Sequence, residues 1–146
     1  MIIVVDTNIV FSGLLNPTGK IGDLLLNSVG VFEFYAPAFI LEELINHHQK
    51  LLKISNLQND ELIFLKRILL KKIELIDLDT ISGKTWDKSI ELVQNIDEFD
   101  APFIALSIEL SAPLWTGDKK LINGLKKKNV EWILSTDLVS KIRNKE

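Results

Sequence analysis

The chain has 146 residues, 47% hydrophobic and 25% charged, with a formal net charge of −3 and no cysteine. That balance suits one soluble domain with a sizeable core, here spanning 1–146, and the missing cysteines exclude disulfides, thiolate zinc sites and cysteine nucleophiles while fitting a reducing cytoplasm. No apolar run approaches the ~18 residues a membrane span needs, no basic segment precedes the opening strand as in a secretion signal, and any nucleic-acid contact must use a local basic patch rather than the overall field.

Ile2–Val5 is short, continuous and mostly β-branched, the pattern of a buried strand. "NPTGK" at 16–20 is a loop, and 21–29 suits a short helix. A second strand is expected over 31–37, stopped by Pro37. The apolar positions Phe39, Ile40, Leu44, Ile45, Leu51 and Leu52 predict one amphipathic helix over 38–53. Another helix follows at 59–72, a third strand at 73–78 and a helix at 85–96. "APFIALSIEL", 101–110, is nearly all apolar and predicts a buried helix. A fourth strand at 113–116, a basic helix at 119–128 and a fifth strand at 130–134 come next. Ser135 or Thr136 caps the closing helix. Strands alternating with helices predict an α/β fold, a three-layer α/β/α stack around a five-stranded, mostly parallel sheet.

Ligands in such sheets sit beyond the carboxyl ends of the strands, where the strand order reverses. Two runs deliver an acid there: "IIVVDTN" ends on Asp6, and "PLWTGD" ends on Asp118. "NIDEFDAPF" adds Asp97 and Asp100 at the head of the apolar helix, with Pro102 fitting its first turn. Glu43 follows the second strand by one helical turn. Each acid has a structural reading too. Asp6 and Asp100 can be helix caps, Asp118 a turn residue and Glu43 a solvated helix residue like Glu42. Their recurrence at matching ends of α/β units favours a shared site. Several carboxylates in one pocket repel each other unless a cation is present. A hard ion such as Mg²⁺ or Mn²⁺ takes oxygen ligands and serves phosphodiester hydrolysis.

These stretches resemble the PIN-domain nucleases, in particular the small single-domain, VapC-like toxins of toxin–antitoxin pairs. The resemblance covers nearly the whole chain and lies in "VVDTNIVFSGLL", "APAFILEELINHH" and "DEFDAPFIALSIELSAPLWTGDKKL". It implies Asp6, Glu43, Asp100 and Asp118 as the catalytic, metal-binding acids, with Asp97 as an accessory ligand. It implies Asn8 and Thr116 as polar groups that orient those acids. Many relatives carry a further Asp two residues after the one matching Asp118. Lys120 stands there in this chain, which argues against a tightly held second ion. The implied activity is a Mg²⁺- or Mn²⁺-dependent endoribonuclease acting on single-stranded RNA in the cytoplasm, with an activated water attacking in line and a 3′-hydroxyl leaving. The implied partners are an antitoxin protein and a second copy of the chain.

Lysines gather at Lys119, Lys120, Lys126, Lys127 and Lys128, at Lys66, Arg67, Lys71 and Lys72, and at Lys141, Arg143 and Lys145. Each group can bind phosphates or simply form a solvated helix face. Lys119 and Lys120 stand out because they follow Asp118, and are expected to steer or clamp the substrate backbone. His47 falls one turn after Glu43, on the same helical face, without an HExxH pattern. Trp86, Trp115 and Trp132 sit among apolar neighbours and read as core. The alternatives are a phosphorelay receiver module, with Asp77 as phosphoacceptor and Thr116 after the fourth strand, and a catalytically silent protein-docking module. A haloacid-dehalogenase-type phosphatase fails because position 8 is Asn where an acid is required.

Overall fold

The computed structural model describes residues 1–145. Five strands form one sheet: β1 (Ile2–Val5), β2 (Glu33–Pro37), β3 (Ile73–Ile76), β4 (Leu114–Trp115) and β5 (Ile133–Leu134). Their order is β3-β2-β1-β4-β5, and every pairing is parallel. The helices among the described residues are α1 (Thr7–Leu15), α2 (Lys20–Leu26), α3 (Ile40–Asn46), α4 (His48–Ser55), α5 (Asn59–Leu70), α6 (Gly83–Val93), α7 (Ala101–Leu110), α8 (Lys119–Lys127) and α9 (Thr136–Asn144).

Strand β1 is central, and its Ile3, Val4 and Val5 are fully buried. Parallel strands covered on both faces need such continuous apolar runs. Helix α7 packs on β1, β2 and β4, with α6 against it, while α1 gathers α2, α4 and α5 in the other helical layer. The expectation of a buried α7 holds: Ala101, Phe103, Ile104, Ala105, Leu106 and Ser107 are all buried. Trp115 is fully buried as expected, with its indole N–H donating to Thr136 Oγ1 at 3.0 Å. Trp86 and Trp132 are partly buried against the same core. Ser135 caps α9 by accepting from the Leu138 N–H.

One predicted helix is two. The segment 38–53 breaks at His47 into α3 and α4. In an unbroken helix the Leu44 carbonyl would accept from the amide four residues on. Here it accepts the Lys66 ammonium of α5 at 3.0 Å. The His48 ring is held in turn by Lys66 Nζ at 2.6 Å and by Asn59 Oδ1 at 2.7 Å.

In this topology the chain runs from β1 outward to β2 and β3 on one side, and β4 and β5 fill the other. The strand order therefore reverses between β1 and β4. A crevice opens at the carboxyl ends of such a pair, which is where Asp6 and Asp118 lie.

Candidate metal centre

Asp6 leaves β1 in extended conformation and caps α1, its Oδ1 accepting the Ile9 N–H at 2.9 Å. Its Oδ2 accepts the hydroxyl of Thr116, the residue that follows β4. Thr116 is itself fully buried, and its Oγ1 accepts the Asp118 N–H at 3.1 Å. One hydroxyl thus ties the acid after β1 to the acid after β4. Asp118 caps α8, with Oδ1 taking the Lys120 and Leu121 amides.

Asp97 caps the short 3-10 turn Glu98–Asp100, and Asp100 is its last residue. Asp97 Oδ1 accepts the Phe99 N–H at 3.0 Å. The turn throws Phe99 outward, 89% exposed, so both acids face inward. Asp100 occupies the N-cap position of α7, yet its side chain makes no capping hydrogen bond. Its Oδ2 is buried without a hydrogen-bond partner. A carboxylate serving only as a cap would not be left that way, because an unsatisfied buried acceptor costs roughly 1–3 kcal/mol.

Carboxylate oxygens of Asp97, Asp100 and Asp118 lie within 4.8 Å of one another. Asp6, Glu43 and Asp100 line a cavity of about 200 Å³ beside them, together with Thr7, Asn8, Phe39, Phe99 and Phe103. All five acids expected from the sequence therefore meet around Asp100. Their arrangement differs from expectation in one respect. The tightest trio includes Asp97, the expected accessory, rather than Glu43 or Asp6. Both oxygens of Asp6 are engaged by Ile9 and Thr116, while Glu43 Oε1 accepts the Thr7 hydroxyl at 2.8 Å.

The electrostatics follow from this crowding. Burial raises the Asp100 pKa to about 7, and the charges of Asp97, Asp118 and Asp6 push the same way. Burial also raises Asp6, opposed by the hydrogen bonds from Thr116 and Ile9. Some compensation comes from helix dipoles. Asp6, Asp100 and Asp118 sit at the N-caps of α1, α7 and α8, and Glu43 in the first turn of α3. Each N-terminus carries roughly half a positive charge. The buried, orphaned Oδ2 and the all-oxygen donor set fit a hard divalent cation.

A family model described as a PIN domain matches residues 4–137. The chain belongs to the PIN-domain family. No curated protein and no solved structure matches it. PIN domains are typically metal-dependent nucleases, and an acid trio of this kind is compatible with a metal ion.

Other expected residues of this PIN domain fall as follows. Asn8 is exposed at the start of α1 and lines the cavity. Lys119 and Lys120 are exposed in the first turn of α8. Three of the other basic residues have structural work. Lys66 bolts α5 to the α3–α4 break, and burial lowers its pKa. Lys128 Nζ donates to the carbonyls of Glu91, Leu92 and Gln94 at the end of α6. Arg143 pairs with Asp23 at 2.6 Å. His47 sits at the helix break, edge-on to Phe11 with ring centroids 5.5 Å apart.

Thr7 is the site residue that reading the sequence did not single out. Its place in the Asp-Thr-Asn stretch, one residue past the strand end, was the available signal. Its hydroxyl is what holds Glu43. Among the described residues, no helix is long and apolar enough to cross a membrane.

Proposed function

We propose that this PIN domain is a Mg²⁺- or Mn²⁺-dependent endoribonuclease that cuts single-stranded RNA in the cytoplasm, as the toxin of a toxin–antitoxin pair. The observation that carries the nuclease reading is the buried, unpartnered Asp100 Oδ2 facing Asp97 and Asp118. RNA, the antitoxin partner and a homodimeric state are supported by the resemblance of the Asp-Thr-Asn and DEFDAPFIAL–WTGDKK stretches to the small toxin ribonucleases.

Asp97, Asp100 and Asp118 would hold the ion, with Asp6 and Glu43 on its flank. Such an ion neutralises charge on the acids and on the phosphoryl oxygens and makes a coordinated water more acidic. The protein's own part is positioning. Thr116 fixes the Asp6 carboxylate, Thr7 fixes Glu43, and the caps of α1 and α8 lock Asp6 and Asp118 in place. Asp100 must lose its proton to act as a ligand. Lys119 and Lys120 project from the first turn of α8, where they would meet the substrate's phosphates. The single-domain reading of 1–146 is part of this proposal.

A receiver-like module gains no support from the topology. The receiver order 2-1-3-4-5 places β3 beside β1. Here β3 is an edge strand two places away, and Asp77 caps a 3-10 turn through the Asp79 amide.

The test is cleavage of end-labelled single-stranded RNA, with single-stranded DNA in parallel, in EDTA, Mg²⁺ or Mn²⁺. Asp100→Asn is the control. Cutting of RNA that requires the ion and is lost in Asp100→Asn is the expected result. Absence of cutting by folded wild type in every ion overturns the nuclease reading, and preference for DNA overturns the substrate. Induced expression tests the toxin role: arrested growth, relieved in Asp100→Asn, is expected.

A further inference from the structure

A second concavity opens directly off the acid cavity. It has a volume of about 480 Å³ and lies between α1 and α4. The two share Thr7, Asn8 and Glu43, so they form one continuous depression. Beyond the shared residues the character changes. Phe11, Leu15, Leu51 and Ile54 supply an apolar floor, and His47 and Lys50 stand at the rim. No acid other than Glu43 lines it. Lys50 is exposed and makes no ion pair among the described residues. Ile54 is 54% exposed, an apolar surface left open to water.

We infer that this α1–α4 groove is the subsite for a nucleotide flanking the scissile phosphate. The base lies against the Phe11–His47 pair and the backbone phosphate meets Lys50. The nature of the occupant rests on the nuclease reading above. Continuity with the acid site is the first argument, since a strand whose phosphate lies at Asp100 must extend across adjoining surface. The second is chemical fit. Single-stranded nucleic acid is bound by joining apolar or aromatic faces for bases to cations for phosphates. The groove offers both, whereas the acid cavity offers negative charge. His47 lies at the break one turn after Glu43, its amide still bonded to the Glu43 carbonyl at 3.0 Å, so both line the groove and the imidazole stands edge-on to Phe11. Binding would be tolerant of sequence, because every base presents a π-face.

The test uses His47→Ala/Lys50→Ala, both exposed positions, in two assays. In the first, kcat/KM is compared for a single-stranded RNA hexanucleotide and for bis(p-nitrophenyl) phosphate, a diester without flanking nucleotides. The double variant is expected to lose about tenfold on the hexanucleotide relative to the small diester. Equal losses on both overturn the inference and leave the nuclease reading standing. In the second, the change is placed in an Asp100→Asn background and binding of a fluorescein-labelled hexanucleotide is followed in EDTA. A rise in Kd of about tenfold is expected. Unaltered Kd overturns the subsite. Unaltered Kd with weakened self-association in sedimentation assigns the groove to a second copy of the chain. A wild type that cuts neither substrate, while the groove change still weakens binding in EDTA, overturns the nuclease reading and with it the flanking subsite, leaving the groove as a binding site for single-stranded RNA.

Discussion

The hydroxyl of Thr116 donates to Asp6 Oδ2 across the gap between β4 and β1. That contact joins residues 110 apart in sequence and sits where the strand order reverses. Thr116→Val keeps the shape and removes the donor. Asp6 Oδ2 and the Asp118 amide would then both lose a partner. Stability should fall by roughly 1–3 kcal/mol, and metal affinity or activity by roughly 10- to 100-fold. Thr116→Ser should recover most of both. Thermal melts and calorimetric Mn²⁺ titration of the two variants decide it, and a Thr116→Val protein that binds Mn²⁺ like wild type sinks the idea.

Asp100 links pH to stability. Its folded pKa of about 7 lies above the ordinary 3.8. Between these values the folded state holds a proton the unfolded state has released, so metal-free stability falls as pH rises. The contribution is whole below the ordinary carboxyl value and lost above about 7. In EDTA, Asp100→Asn should therefore melt higher than wild type, by a margin that grows from about pH 5 to about pH 8. A margin constant across that range would show that Asp100 is not the titrating group.

Metal should reverse the same trend. Protons and cation compete for Asp100, so Mg²⁺ or Mn²⁺ should raise the melting temperature more at about pH 8 than at about pH 6. Asp100→Asn should lose most of that gain. Scanning fluorimetry with and without EDTA measures it.

Two lysine changes should separate structure from substrate contact. Lys66→Ala removes the bolt between α5 and the Leu44 carbonyl and should lower the melting temperature without changing the salt dependence of RNA binding. Lys119→Ala/Lys120→Ala should leave stability nearly unchanged. It should flatten the plot of log K against log salt by about 1.4, the loss of two phosphate contacts to a single strand. An unaltered slope in the second variant would remove both lysines from the substrate path.

The sheet was legible because parallel strands buried on both faces have a signature few other elements share. The run 2–5 and the acids at its end and after Trp115 locate the crevice from the sequence alone. The sequence marked Asp97 only as an accessory beside the site; its place in the tight trio was not legible. It depends on a 3-10 turn that turns Phe99 out, and no periodicity marks so short an element. The break at His47 was hidden for a different reason. The apolar spacing from Phe39 to Leu52 suits one helix, and the competitor for the Leu44 carbonyl is a lysine 22 residues downstream. The roles of the lysines were equally invisible. Charge in a sequence does not reveal whether a helix end or a partner carboxylate has already claimed it, as with Lys128 and Arg143.

The capping arrangement has an evolutionary consequence. Asp6 and Asp118 each begin a helix, so a lineage that discards either one also loosens its fold. Asp100 caps nothing, and its charge is held against its surroundings. Drift toward an inactive descendant therefore meets least resistance at that position. Inactive relatives of this chain should keep the acids after β1 and β4 long after the one heading α7 has gone.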